Sequence, residues 1–108
     1  MPHDPHLVEL MREAMRRRAG VSERRMFGGY CWMLNGNMLC GVEVGRFMFR
    51  VGKEREAQAL SRPGATPMDI TGKPMRGIIW VDAGAAIDAG LDAWIDFASH
   101  FVGALEPK

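Results

Sequence analysis

The sequence is short of most features that would name a function outright. Two cysteines in 108 residues are too few for the disulfide framework of a small secreted domain or for a structural zinc site. Of three histidines, His3 and His6 sit at the amino terminus and His100 far away; two ligands on a fraying end make only a weak metal site. No apolar run approaches the roughly 20 residues that span a bilayer. The first residues, Met1 to Pro5, lack the basic and apolar regions of a signal peptide. A net charge of +1 provides no global field toward nucleic acid or an anionic membrane. No phosphate loop is present, because Gly72-Lys73 is followed by Pro74. No G-x-G-x-x-G occurs, and no serine stands in a nucleophile elbow. Together these absences predict a cytoplasmic, non-enzymatic protein with reduced thiols, no cofactor and no membrane contact.

What is present is a strong β signal in the first half. Residues 1–108 suffice for one domain around one small sheet. From Arg25 to Gly52 three strands follow one another, and Leu34-Asn35-Gly36-Asn37 has the chemistry of a two-residue type I′ hairpin turn. That turn predicts the pairs Leu34–Asn37, Met33–Met38, Trp32–Leu39 and Cys31–Cys40. With a side-chain period of two, Cys31, Met33, Met38, Cys40 and Val42 fall on the face toward the helices. Tyr30, Trp32, Leu39, Gly41 and Glu43 fall on the outer face. In the third strand Phe47, Phe49 and Val51 point inward, and Arg46, Met48 and Arg50 outward. Gly28-Gly29 predicts a bulge or a close backbone approach.

Helical signals flank and interrupt the strands. Asp4-Pro5 starts a helix whose stripe is Leu7, Val8, Leu10, Met11, Ala14 and Met15 and which Gly20 ends. Lys53 to Ser61 is a short helix stopped by Pro63-Gly64. A short strand at Met68–Ile70, a turn at Thr71–Pro74 and a β-rich run from Gly77 to Val81 follow. Asp82 caps a final helix over 85–105, with Ile87, Leu91, Trp94, Ile95, Ala98, Phe101, Val102 and Leu105 at helical spacing. The order α-β-β-β-α-β-β-α predicts an α+β fold: a two-layer α/β sandwich, an antiparallel sheet with helices on one face.

Charge is segregated along the chain. Arg12, Arg16, Arg17, Arg18, Arg24 and Arg25 crowd the first quarter, and Asp82, Asp88, Asp92, Asp96 and Glu106 the last. Both sets read first as solvated faces. The predicted pairing of Cys31 with Cys40 makes a thiol pair sterically conceivable, although two reduced, packed thiols are the simpler state.

The stretches ERRMFGGYCWMLNGNMLCGV, FRVGKE and RPGATPMDITGKPMRG, running from Glu23 to Gly77, resemble the amino-terminal domain of the TfoX/Sxy family. Arg25, Met26, Phe27, Gly28, Gly29, Gly52, Pro63, Gly64, Asp69, Gly72, Pro74, Met75 and Gly77 match its pattern. The resemblance implies the same α+β order and a link to regulation of natural competence, where full-length members act with a cyclic-AMP-dependent transcription activator. Full-length members also carry a second, helical domain after this one, which these residues do not include. The resemblance implies no catalytic residues.

Two functional readings follow. The first is a non-enzymatic regulatory protein-interaction module, a transcriptional or competence co-regulator. Its contact face is the outer sheet surface bearing Tyr30, Trp32, Leu39, Met48 and Arg50, with Trp80 or Ile79 beside them. A homodimer is its simplest partnership. The alternative is a nucleic-acid-binding domain in which Arg12, Arg16, Arg17, Arg18, Arg24 and Arg25 contact phosphates and outer-face aromatics stack on bases.

Overall fold

Asn35 and Gly36 take φ of 53° and 84°, the two left-handed residues of a type I′ turn. Leu34 pairs with Asn37 and Met33 with Met38, as that turn dictates. The carboxy-terminal residues strap it: the Lys108 N–H donates to the Asn35 carbonyl at 2.8 Å and Asn37 Nδ2 to the Glu106 carbonyl at 2.9 Å. The computed structural model describes residues 5–26, 29–70 and 73–108, and the side chains of all of these except 26, 69, 70 and 73–75. The expected Asp4 cap and His3 lie outside the described residues, as do Gly28 of the bulge expected at Gly28-Gly29 and Thr71-Gly72 of the turn expected at Thr71–Pro74; Gly29 opens β2, and Lys73 and Pro74 belong to β6.

The elements in order are α1 (Pro5–Met15), β1 (Val21–Met26), β2 (Gly29–Leu34), β3 (Asn37–Glu43), β4 (Arg46–Arg50), a 3₁₀ turn (Lys53–Arg55) running into α2 (Glu56–Leu60), β5 (Ala65–Ile70), β6 (Lys73–Asp82), α3 (Ala83–Ala89) and α4 (Leu91–Val102). The strands form one antiparallel sheet in the order β1-β2-β3-β4-β6-β5. α4 packs on β3 and β4, α1 on β3 and α4, α2 on β5 and β6, and α3 on β4 and β6. All four helices bury their apolar stripes in one cluster with the strand residues Trp32, Leu39, Cys40, Val42, Phe47, Phe49, Ile79 and Val81. This is the predicted α+β architecture, with three differences.

The first is an additional strand, β1. Its sequence, Val-Ser-Glu-Arg-Arg-Met, has no apolar alternation, because it is a sheet edge, where charged residues discourage pairing with other chains. Pairing with β2 holds it, and so does a fork in which Arg12 Nε and Nη2 each donate at 2.8 Å to a Glu23 carboxylate oxygen. That guanidinium keeps the Glu23 carboxyl below the usual carboxylate range. The pair's small contribution is present above the ordinary carboxylate pKa and lost as pH falls through the lowered value.

The second concerns the last helix. Gly90, at φ 101°, breaks the expected single helix into α3 and α4. Asp82 does cap α3, its Oδ2 accepting from the Ala85 N–H. The break rotates α3 out of the phase of α4, so Ile87, expected in the core, is 45% exposed. The third difference is a bulge in the central hairpin, and it decides which residues the helices cover.

Candidate interaction face

Trp32 pairs with Cys40, not Leu39, and Cys31 pairs with Gly41, not Cys40, because the register slips between Trp32 and Met33. Leu39 is the extra residue. A bulge of this kind sets two residues of one strand against one of the other and turns both toward the same face. Leu39 and Cys40 accordingly both lie in the helix-facing core, each 0% exposed. Beyond the bulge Tyr30, Cys31 and Trp32 of β2 therefore lie on the opposite face from the one the regular register gives them, while Cys40, Gly41 and Val42 of β3 keep theirs.

The outer face is therefore different from the one the turn alone implies. Across the sheet runs a row of opposed residues, Arg24, Cys31, Gly41, Met48, Trp80 and Thr66. Cys31, Met48, Met68 and Ile78 form a second apolar cluster, 5–8% exposed, with the half-buried Met38 and Trp80 packed at its margin. Among the described residues only strands contribute to it. Gly41 makes room for it, since a Cβ there would lie 3.1 Å from the Met48 methyl and 3.3 Å from Cys31 Sγ. The next row is charged: Glu43 opposes Arg46, and Arg46 opposes Asp82. The Arg46 guanidinium lies 3.7 Å from the Trp80 ring centre and pairs with Glu43 at 2.7 Å.

Of the five residues expected on this face, only Met48 contributes to its cluster. Trp32, 2% exposed, and Leu39 are in the main core, turned there by the bulge. Tyr30 faces the helix side, its ring between Arg12 at 5.4 Å and Arg25 at 5.6 Å. Arg50, at the end of β4, reaches the Phe101 ring of α4 at 5.6 Å. Trp80 is on the outer face and Ile79 on the inner. Arg24, Met38, Met68 and Ile78 join the outer face without having been expected there. The alternation of β6 from Ile78 to Val81 is the one sequence signal for them, once its parity is known.

The expected thiol pair is also undone. Cys40 Sγ lies 3.8 Å from Met11 Sδ of α1, whereas Cys31 is in the outer cluster, so the two point to opposite faces. Both are free and buried, and burial pushes both thiols up, Cys31 adding to the effect at Cys40. The thiolate is the reactive species. Titration with a thiol reagent is thus expected to find two thiols per chain in denaturant, and native protein to react at least about tenfold more slowly. Rapid native titration, or an intramolecular bridge, would contradict this placement.

The arginine set is largely engaged. Arg12 pairs with Glu9 and Glu23, Arg16 with Glu13, and Arg18 with Asp92 at 3.3 Å and Asp96 at 2.8 Å. The two charge blocks at the ends of the sequence thus meet, Arg18 holding the end of the α1 segment to α4. Half of the expected phosphate-contacting arginines are consumed in this way. Arg24 and Arg25 oppose Cys31 and Tyr30 across the same strand pair and so point to opposite faces.

Among the described residues the helices cover one face of the antiparallel sheet and an apolar row lies on the other, which defines a small two-layer α+β domain. Among the described residues no helix is long and apolar enough to cross a membrane. The chain matches the family model described as the TfoX N-terminal domain over residues 13–100, and it belongs to that family. Membership points to a competence-related regulatory role. A search of the curated proteins gives no match.

Proposed function

We propose that this domain is a non-enzymatic, cytoplasmic regulatory module that acts by docking another protein chain on the sheet face that no helix covers among the described residues. The observation that supports the reading is the apolar cluster of Cys31, Met48, Met68 and Ile78, with Met38 and Trp80 at its edge. A sheet covered on one side ordinarily carries polar residues on the other. Methionine, tryptophan and arginine are the types enriched at interface centres, and methionine adapts its shape to a partner. The Glu43–Arg46 pair beside Trp80 supplies both signs of charge at the rim. Such a rim can meet a second copy of itself related by a two-fold axis.

Sedimentation equilibrium tests this on the wild type and on Trp80→Glu, with Met38→Glu as a second variant further from Arg46. The expected result is a concentration-dependent dimer that both variants reduce to a folded monomer. A wild type that stays monomeric throughout, or variants that dimerise unchanged, would contradict self-docking on this face.

A further inference from the structure

A second feature lies where the end of β4 meets the end of α4. The segment Arg50 to Arg55, the Arg76-Gly77 step of β6 and the last turn of α4 enclose a cleft of about 520 Å³, within the range of small-ligand sites. Its floor is held stiffly. The Gly77 carbonyl accepts from the N–H groups of Val51 at 2.8 Å and Gly52 at 3.1 Å. The Gly77 N–H donates to Glu56 Oε1 at 2.6 Å. Gly52 lies so close to Phe101 that a Cβ there would meet its ring at 2.5 Å. Phe101, Val51 and Leu105 give the cleft an apolar side.

The other side is cationic. Arg50, Lys53, Arg55 and Arg76 line it, with His100 at one wall and Glu54 as its acidic member. Arg76 is neutralised by Glu56 at 3.2 Å, and Arg55 is turned onto the Phe97 ring at 3.8 Å and the Phe97 carbonyl. Among the described residues Arg50 and Lys53 have no ion-pair partner. The cleft therefore concentrates positive charge in a chain whose net charge is only +1, beside an aromatic ring and on a preorganised floor. Two unpaired cations suit a dianion, and guanidinium suits the oxygens of a phosphate.

We propose that this cleft binds a small phosphate monoester with an apolar or aromatic body. The phosphate sits between Arg50 and Lys53, and the body lies along Phe101 and Leu105. The site does not depend on docking at the outer sheet face.

The probe is phenyl phosphate, followed by amide shifts of isotopically labelled full chain in NMR, with inorganic phosphate and benzyl alcohol titrated separately. The expected shifts fall at Val51 to Arg55, Gly77 and His100 to Leu105, and phenyl phosphate binds at least about tenfold more tightly than either fragment. Lys53 is exposed, so Lys53→Gln should leave the fold intact and weaken binding by roughly three- to tenfold, as should Arg50→Gln. Raising the salt should weaken it further. No shift in these segments at about 10 mM ligand, or equal affinity in both variants, would overturn the proposal. So would inorganic phosphate binding as tightly as phenyl phosphate, because the apolar side would then contribute nothing.

Discussion

Trp32→Ala is expected to cost about 3–5 kcal/mol of folding stability, the usual range for deleting a buried tryptophan. Small domains hold only about 5–15 kcal/mol in all, so Trp32→Asp should leave the chain largely unfolded. The reason is the bulge. It turns Trp32 toward the helices, opposite Cys40 and beside Leu39, at 2% exposure. The same truncation at Trp80 should cost about 1–2 kcal/mol, because that ring is half-buried and loses mainly its cation–π contact with Arg46. Urea unfolding of the two alanine variants measures the difference directly. Equal losses, or a larger loss at Trp80, would show that the faces have been assigned the wrong way round.

Gly52→Ala should be a strongly damaging glycine change. Gly52 has φ 87° and ψ 150°, a combination reserved almost wholly for glycine and costing other residues about 1–3 kcal/mol. Its added Cβ would also meet three Phe101 ring carbons at 2.5–2.9 Å, and such overpacking costs about 1–3 kcal/mol more. The sum, about 2–6 kcal/mol, corresponds to a fall in Tm of roughly 8 °C or more. Gly45 is the control. It has φ 76° but nothing within 4 Å of an added methyl, so Gly45→Ala should cost only about 1–2 kcal/mol of backbone strain. A thermal melt in which the two variants fall together would remove the Phe101 contact as the cause.

Both expectations rest on features that the sequence conceals to different degrees. Asn35-Gly36 announces its turn because few other residue pairs tolerate two successive positive φ values, and Asp82 announces its cap by side-chain chemistry. The alternation of Phe47, Phe49 and Val51 likewise places β4 correctly, since Arg46 and Arg50 at its two ends are charged and share the other parity with Met48. The bulge has no such signature. Met38-Leu39-Cys40-Gly41-Val42 is apolar or small throughout, so a one-residue slip buries as much apolar surface as the regular register, and periodicity cannot choose between them. For that reason a regular register misplaces Tyr30, Trp32 and Leu39, and the Cys31–Cys40 pair with them.

The remaining differences come from contacts distant in sequence. β1 is recognisable only once β2 and the Glu23–Arg12 fork are in place. The aspartates of α4 read as a solvated row because their partner, Arg18, lies 74 residues away from Asp92. The cleft is hidden in the same way, since Gly52, Gly77 and Phe101 carry no joint pattern along the chain. Gly52 and Gly77 do match the family pattern, and their roles here go beyond a turn: they let backbone approach the Phe101 ring and the Lys53 segment.

Among the described residues two apolar clusters lie on opposite faces of one sheet, and on the function proposed above the one built from strands alone meets other chains. Methyl-labelled methionine reports on both clusters in a single experiment. Met11 and Met15 belong to the helix-facing core, while Met38, Met48 and Met68 belong to the outer cluster. In an NMR dilution series the methyl signals of Met38, Met48 and Met68 are predicted to shift with protein concentration while those of Met11 and Met15 stay fixed. Concentration-dependent shifts at Met11 and Met15, or none at the outer three, would contradict it.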